Sequence, residues 1–237
     1  MRVSVVVCTR NGDAFVAEQL ASVLAQTRLP SEIIISDDGS EDKTRVILRA
    51  FSEKAQEAGV DCHLIENPVP LGVTQNFEAA CARATGDVIF LADQDDRWHP
   101  EKIERLLSEL ADSDVLLVAT NARIVTGDGE ATGETLFDRL GMADCELKQL
   151  AAGQLSHLLL YRTALTGATF AFKRSLLGRA VPFDETLVHD EWLVQVAWLV
   201  GNVRVILEPT MDYRLHAANT IGLDPQAIPE HLDTPHC

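Results

Sequence analysis

The sequence has few basic residues: 20 lysines and arginines stand against 36 aspartates and glutamates among 237 residues, giving a formal net charge of −16. Proteins that bind nucleic acid need clustered positive charge to displace counterions from phosphates, so this balance argues against a nucleic-acid partner. It also disfavours broad electrostatic binding to an anionic membrane surface. Hydrophobic residues make up 46% of the chain, which is sufficient for the core of one large domain.

The sequence also lacks the signals of export and of membrane insertion. The first apolar run, at residues 3–8, starts without a preceding basic region, long apolar stretch or cleavage site. The most hydrophobic long window, at residues 155–176, is interrupted by charged side chains and is not expected to span a membrane. The five cysteines form no C-x-x-C pair, so we expect free thiols in a reducing compartment. These absences predict a cytoplasmic protein.

Short apolar runs alternate with amphipathic segments through the first half of the chain. The segments between the runs carry apolar residues at helical spacing, while the runs themselves are typical of buried strands. The runs are at residues 3–8, 33–35, 62–65, 88–92 and 115–120. This order predicts an α/β fold whose first half is doubly wound, with a parallel sheet and right-handed crossovers.

The pattern is less regular after residue 122. The segment 127–129 is typical of a hairpin turn, 165–172 and 203–207 of strands, and 189–200 of a helix. We predict a first half over residues 1–120, a second half over 121–222 that is fused to the same sheet, and a C-terminal tail over 223–237.

Three carboxylates, Asp93, Asp95 and Asp96, follow the strand predicted at residues 88–92. Open α/β sheets bind their ligands at the carboxyl ends of strands. Anions this close repel one another, whereas Mg²⁺ or Mn²⁺ would stabilise them, because these ions prefer one or two carboxylates together with phosphate oxygens. The alternative is an acidic loop before a helix, since aspartate favours helix starts.

Seven segments of the chain form a recognisable series: VVVCTRNG (5–12), IISDDGS (34–40), NPVPLG (67–72), DVIFLADQDDRW (87–98), LTGAT (165–169), HDEW (189–192) and YRLH (213–216) followed by Asn219. A single D-x-D motif occurs often by chance, but seven segments in the right order and spacing are specific. The series resembles family 2 glycosyltransferases, particularly rhamnosyltransferase-like members that act on bacterial surface polysaccharides. The resemblance implies the GT-A fold, a single Rossmann-like domain with a mostly parallel central sheet and a fused acceptor-binding half.

The resemblance implies a metal-dependent, inverting transfer of a sugar from a nucleotide diphosphate sugar, such as dTDP-rhamnose or a UDP-hexose, to a hydroxyl of a glycan or lipid-linked acceptor. Residues 1–120 would bind the nucleotide sugar, and residues 121–222 would form the acceptor-binding half. A lipid-linked acceptor would bring the protein to the inner face of the membrane as a peripheral protein.

For the donor, the resemblance implies that Thr9 and Arg10 line the nucleoside pocket. Asp38 would bind the base or ribose, with Asp37 as the lesser candidate. Standing alone, the segment Asp37-Asp-Gly-Ser40 would be better explained as a turn and helix cap. Relatives often have tyrosine at the position of Arg10, so the preferred nucleoside stays open.

For the cofactor, the resemblance assigns Asp93, Asp95 and Asp96 to a metal and ribose motif. Alternate positions of an extended loop point the same way, so the sequence does not separate Asp93 from Asp95 as the metal ligand. We assign Asp95 to Mn²⁺ or Mg²⁺, with Asp96 helping directly or through water, and Asp93 to the donor. His216 would complete the coordination shell, because a neutral imidazole is a good metal ligand.

For the acceptor, the resemblance places the catalytic base at Asp190, which would accept the proton of the attacking hydroxyl. Glu191 is the rival base, and it stands where relatives often have an aromatic residue. Gly167 would lie beside the acceptor and allow its close approach. Trp98 and Trp192 can stack on sugar faces or pack in the core, and we assign Trp192 to the acceptor.

Two other interpretations stay open on the sequence. Haloacid-dehalogenase-like phosphotransferases also carry D-x-D on a parallel sheet, but their first strand ends in a nucleophilic aspartate, whereas this one ends in Cys8-Thr9. The departures at Arg10 and Glu191 also permit a catalytically silent module that binds a nucleotide sugar or acts as a scaffold.

Overall fold

The computed structural model of the protein describes residues 1–154, 165–217 and 219. Within these ranges the chain forms nine strands and eight α-helices. The strands are β1 (Val3–Thr9), β2 (Glu32–Asp37), β3 (Asp61–Glu66), β4 (Val88–Ala92), β5 (Arg97–Trp98), β6 (Val115–Thr126), β7 (Ala131–Thr135), β8 (Phe170–Lys173) and β9 (Asn202–Leu215). The helices are α1 (Val16–Leu24), α2 (Thr44–Glu57), α3 (Val73–Cys81), α4 (Lys102–Leu110), α5 (Leu136–Arg139), α6 (Asp144–Ala151), α7 (Leu177–Ala180) and α8 (His189–Val200).

The strands form one sheet in the order β3-β2-β1-β4-β8-β6-β9-β5, with β7 paired to β6. The first four strands pair in parallel, as predicted. β8 then lies antiparallel between β4 and β6, and β9 runs parallel to β6. The α/β fold with a fused second half is therefore confirmed, but the sheet as a whole is mixed. Periodicity shows that a strand is buried and leaves the direction of its neighbour open.

The first strands are buried on both faces because their side chains are almost all apolar. Val5 and Val7 point into one hydrophobic cluster, and Val6 points into the other cluster on the opposite face of the sheet. The residues of β2 alternate in the same way, with Ile33 and Ile35 on one face and Ile34 on the other. The sheet therefore separates two hydrophobic cores, and the side chains at the carboxyl ends of its parallel strands lie along one edge.

The structure corrects several local predictions in the second half. Residues 165–172, predicted as one strand, form a 3₁₀ turn at Gly167–Thr169 followed by β8. The strand predicted at 203–207 belongs to the longer β9, which continues to Leu215 with register shifts against β6. The helix predicted at residues 189–200 is confirmed as α8, and the side chain of Leu199 near its end is 73% exposed.

The cysteines agree with the expected free thiols only in part. Cys8, Cys62 and Cys81 are free. Cys145 is disulfide-bonded, so the expectation is wrong for this residue. Cys237, like the predicted tail at 223–237, lies outside the described residues. No helix in the described part of the chain is both long and apolar enough to cross a membrane.

A buried carboxylate, Asp212, links β9 to its neighbours. It accepts hydrogen bonds from Arg97 Nε at 2.9 Å, Arg123 Nε at 2.8 Å and His99 Nε2 at 2.8 Å. Burial alone would raise the pKa of Asp212, but the hydrogen bonds from His99, Arg97 and Arg123 outweigh it and hold the pKa well below its usual value. The charged form of Asp212 is therefore part of the folded state.

Asp212→Asn is expected to lower the free energy of unfolding by about 3 kcal/mol at pH 7, because breaking a buried ion pair leaves its partners uncompensated. The folded pKa lies below the unfolded one, so this contribution is present above about pH 4 and is lost as the pH falls further. Urea denaturation at pH 7 and at pH 3 measures both effects. Asp61→Asn, an exposed change on β3, is the control, and equal stability of the Asp212→Asn variant and the parent at pH 7 would contradict the prediction.

Candidate functional site

The carboxylates predicted from the sequence lie together between β4 and β5, against the end of β9. Asp95 Oδ2 is 3.0 Å from His216 Nε2 and accepts a hydrogen bond from Asn219 Nδ2 at 3.3 Å. Asp96 is 1% exposed, and its Oδ1 accepts the backbone N–H of Arg214 at 3.1 Å. His216 is therefore brought to Asp95 across 121 positions of the sequence, as the segment YRLH suggested.

Arg214 holds the backbone of the carboxylate loop, residues 93–96. The sequence did not indicate this role. Its Nε donates to the Asp95 carbonyl at 2.8 Å, and its Nη1 donates to the Gly127 carbonyl at 2.9 Å. Its Nη2 donates to Glu18 Oε2 at 2.6 Å. The guanidinium thus joins the carboxylate loop to α1 and to the hairpin between β6 and β7. A fork of fixed N–H donors suits this position better than a lysine would.

The carboxyl groups raise one another's pKa. Burial, followed by the charges of Asp95 and Asp190, raises the pKa of Asp93 to about 7, while Lys102 opposes the rise. Burial, followed by Asp95 and Asp93, also raises the pKa of Asp96. Like charges in a desolvated site produce such shifts. A positive charge bound here would relieve the repulsion.

The described residues contain no group of three or more histidine, cysteine, aspartate or glutamate side chains arranged as a complete metal centre. They do provide a partial one. Asp95 and His216 face each other, and the buried Oδ2 of Asp96 has no hydrogen-bond partner in the described part of the molecule. An unpaired buried carboxylate oxygen is costly unless something positive binds it. This donor set fits a divalent ion that takes its other ligands from phosphate and water.

Asp190 opens α8 and is held by two backbone amides. Its Oδ2 accepts the N–H of Gly167 at 3.1 Å, and its Oδ1 accepts the N–H of Glu191 at 2.8 Å. A Cβ atom on Gly167 would lie 2.9 Å from His189 Nε2 and 3.3 Å from Asp190 Cβ. Gly167 therefore permits the close approach of protein side chains, and the acid is oriented by the turn that begins at this glycine.

The donor-side residues lie at the carboxyl ends of β1 and β2. Thr9 is buried, with its hydroxyl 3.3 Å from Asp37 Oδ2, whereas Arg10 is exposed. Gln94, which the sequence did not single out, accepts from the N–H of Arg10 at 2.8 Å and donates to its carbonyl at 3.0 Å. Gly12 leaves the space that this amide occupies. The carboxylate loop is thereby tied to the end of β1.

Asp38 holds the exposed loop at residues 67–72. Its Oδ1 accepts from the Leu71 N–H at 2.7 Å and from Asn67 Nδ2 at 3.1 Å, and its Oδ2 accepts from the Gly72 N–H at 2.9 Å. A carboxylate accepts about four hydrogen bonds. Asp38 retains capacity for one further donor, so its role toward a base or ribose stays a prediction.

The tryptophans are anchored in the fold. Trp98 is almost fully buried and packs against Phe90, so the core interpretation is the correct one for this residue. Trp192 is half-buried, and its Nε1 donates to the Ala180 carbonyl at 2.7 Å. Glu191 is also half-buried, beside Asp190. The acceptor roles of Trp192 and Glu191 remain predictions.

Comparison with known proteins identifies the family of the chain. The family model for Glycosyl transferase family 2 matches residues 4–177. An uncharacterised glycosyltransferase of Nostoc sp. is 27% identical over 225 residues, which cover 92% of this chain and 66% of that protein. The dTDP-rhamnosyl transferase RfbG of Shigella flexneri is 24% identical over 241 residues, covering 90% of this chain and 73% of RfbG.

A solved structure has the same fold. The mannosyltransferase PcManGT of Pyrobaculum calidifontis, in complex with GDP-Man and Mn²⁺, superimposes with a TM-score of 0.68 at 23% identity, covering 94% of this chain and 58% of that one. The chain spans about two thirds of the length of the Nostoc relative. The GT-A fold is confirmed, and the phosphotransferase interpretation is left without support. The chain belongs to glycosyl transferase family 2.

Proposed function

We propose that this domain catalyses the inverting transfer of a sugar from a nucleotide diphosphate sugar to a hydroxyl of a glycan or lipid-linked acceptor, in the synthesis of a surface polysaccharide. The observation that carries the proposal is geometric: Asp95 faces His216 at 3.0 Å beside the unpaired Oδ2 of Asp96. The buried Lys102, whose neighbours include the charges of Asp93 and Asp96, donates to the carbonyl of Ala168, and the adjacent amide of Gly167 holds Asp190. The carboxylates after β4 and the acid of α8 therefore share one neighbourhood, where a donor diphosphate and an acceptor hydroxyl can meet.

Asp190 is the general base in this proposal. Its carboxylate takes the proton of the acceptor hydroxyl while that oxygen attacks the anomeric carbon from the face opposite the diphosphate. The new C–O bond forms as the bond to the phosphate oxygen breaks, and the nucleoside diphosphate leaves with the electron pair. The N–H groups of Gly167 and Glu191 keep the carboxylate oriented toward the hydroxyl.

Asp95 and His216 would hold Mn²⁺ or Mg²⁺, with Asp96 assisting directly or through water. Support comes from the facing side chains of Asp95 and His216 and from the unpaired Oδ2 of Asp96. A bound ion supplies positive charge against the departing diphosphate. Mn²⁺ in the structure of PcManGT supports the use of a divalent metal in this fold.

The donor is a nucleotide sugar of the dTDP-rhamnose or UDP-hexose type. RfbG is named as a dTDP-rhamnosyl transferase, which supports the first, while PcManGT was solved with GDP-Man. Thr9, Arg10, Asp38 and Asp93 are the proposed donor contacts. Thermal denaturation with UDP, dTDP and GDP, each with and without Mn²⁺, separates these nucleosides.

We expect one nucleoside diphosphate to stabilise the protein in the presence of Mn²⁺ only, by about 2.7 kcal/mol at 100 times its dissociation constant. No stabilisation by any of the three would contradict the donor site.

Incubation with the matching sugar donor and Mn²⁺ then tests catalysis, because slow donor hydrolysis is expected from an enzyme. Binding without hydrolysis or transfer would indicate the silent binding module instead.

The proposed acceptor places the protein in the cytoplasm at the inner face of the membrane, bound peripherally while it works. Sedimentation with vesicles that carry a polyprenyl-diphosphate sugar tests this proposal against vesicles of the same phospholipids alone. Because the protein is acidic overall, we expect binding to depend on the linked sugar rather than on anionic lipid. Equal sedimentation with both vesicles, or with neither, would contradict it.

Gly167→Ala is expected to lower kcat by about 100-fold, because the new Cβ displaces His189 and the carboxylate of Asp190, and a shift of about 1 Å costs this much. Steady-state kinetics with saturating donor and acceptor measures the effect. Gly178→Ala in α7 is the matched control, since a Cβ there meets no atom within 4 Å among the described residues. Parental kcat in Gly167→Ala would show that the turn does not position the base.

A further inference from the structure

Lys102 is a fully buried lysine beneath the carboxylates. It is the first residue of α4, and its side chain is 0% exposed. Its Nζ donates to the Ala168 carbonyl at 2.7 Å and lies 3.1 Å from Met211 Sδ. The ammonium also lies 4.8 Å from the centre of the Trp98 ring. The side chain therefore crosses the core and ends on the turn beside Asp190.

The fold alone gives little reason for a charge at this position. Desolvating an ammonium is costly, and a well-packed apolar side chain of the same volume is often as stable or more so. The positive end of the helix dipole also disfavours a cation in the first turn of α4. Burial lowers the pKa of Lys102 to about 7, although the charges of Asp96 and Asp93 oppose the shift.

A short series of contacts leads from Lys102 to the proposed base. Ala168 is the middle residue of the 3₁₀ turn Gly167–Thr169. The first N–H of that turn, from Gly167, donates to Asp190 Oδ2 at 3.1 Å. The turn is closed by the Thr169 N–H, which donates to the Thr166 carbonyl at 2.9 Å. Nζ thus holds the middle of a turn whose beginning orients the carboxylate.

We propose that Lys102 is a positioning residue: it holds the turn Gly167–Thr169, and through it the carboxylate of Asp190, in place against the carboxylate loop. The catalytic part of this inference rests on the proposed function, in which Asp190 is the base. Lys102 is fully buried beneath the carboxylates, so its loss should affect the chemical step more than substrate binding. The lysine couples the two halves of the site because its helix follows β5, directly after the carboxylate loop, while its Nζ holds the turn beside Asp190.

Lys102→Met keeps the volume and removes the donor, whereas Lys102→Gln keeps a shorter N–H donor without the charge. In Lys102→Met we expect amide hydrogen exchange of Gly167 to speed up at least tenfold and kcat to fall by about 30-fold, with the KM for the donor changed less than about threefold. Lys102→Gln should recover part of both losses. Lys173→Met is the matched control, because that lysine also donates to backbone carbonyls, of Asp112 and Ser113, away from the site.

Hydrogen exchange is measured by NMR and needs no activity, so it tests the positioning role independently of the proposed function. If the Gly167 amide exchanges faster in Lys102→Met but the parent protein transfers no sugar, the positioning role is supported and the proposed function is overturned. Parental exchange and parental kcat in Lys102→Met would overturn the inference. So would equal exchange at Gly167 in Lys102→Met and Lys173→Met, because the effect would then be general destabilisation.

Discussion

Asp190→Asn is expected to lower kcat by about 1,000-fold, the usual contribution of a positioned general base. Asparagine fills the same volume, and its one amide oxygen can still accept the N–H of Gly167, so the turn should keep its conformation while the bond from the Glu191 N–H is lost. What is lost is the basic oxygen that takes the proton of the acceptor hydroxyl. Donor affinity, measured calorimetrically with the nucleoside diphosphate and Mn²⁺, should stay within about threefold of the parent, because Asp190 belongs to the acceptor side.

Two further variants make this test decisive. Glu191→Gln removes the rival acid at the neighbouring position, and Glu185→Gln removes an exposed acid that precedes the same helix. We expect the first to reduce kcat modestly and the second not at all. Retained turnover in Asp190→Asn, together with its loss in Glu191→Gln, would move the base to Glu191. Loss of donor binding in Asp190→Asn would instead show that this acid belongs to the donor site.

Asp95→Ala is expected to weaken Mn²⁺-dependent binding of the nucleoside diphosphate by more than about 100-fold, since even changes around a metal ligand cost 10- to 100-fold. The carboxylate of Asp95 is the charged partner of His216 in this site. Without it, the ion would retain only the imidazole and the buried Asp96. Isothermal titration calorimetry with and without Mn²⁺ measures the loss.

Controls separate the metal from the loop that carries it. His216→Ala should weaken binding less, by about tenfold, because one neutral ligand is removed. Chelation of the metal in the parent should reduce affinity to the level of Asp95→Ala, and Asp61→Ala, an exposed change on β3, should leave it unaltered. Unchanged affinity in Asp95→Ala would refute the metal assignment, whatever its effect on turnover.

Local sequence patterns were sufficient for the elements that carry the site. The apolar runs of β1, β2 and β4 predicted buried strands. The acids that follow β4 were therefore expected at the edge of the sheet formed by the carboxyl ends of these strands. Local patterns failed where a side chain had a choice of partners. Aspartate and serine are typical N-cap residues, and Asp13 and Ser40 stand shortly before α1 and α2, but the N-cap positions belong to Phe15 and Lys43. The Ser40 hydroxyl instead accepts the N–H of Asn11, from another strand end.

The distant contacts had to be learned from the structure. Arg214 reaches Asp95 across 119 positions, Lys102 reaches Ala168 across 66, and β8 inserts antiparallel beside β4. Lys102 stands four residues before Leu106, on the apolar face of α4, where a charged residue is unusual. The neighbouring residues in the sequence do not indicate which group its ammonium contacts. Burial periodicity is a property of consecutive residues and can be read along the chain. The pairing of remote side chains depends on how whole layers pack, and this geometry exists only in the folded molecule.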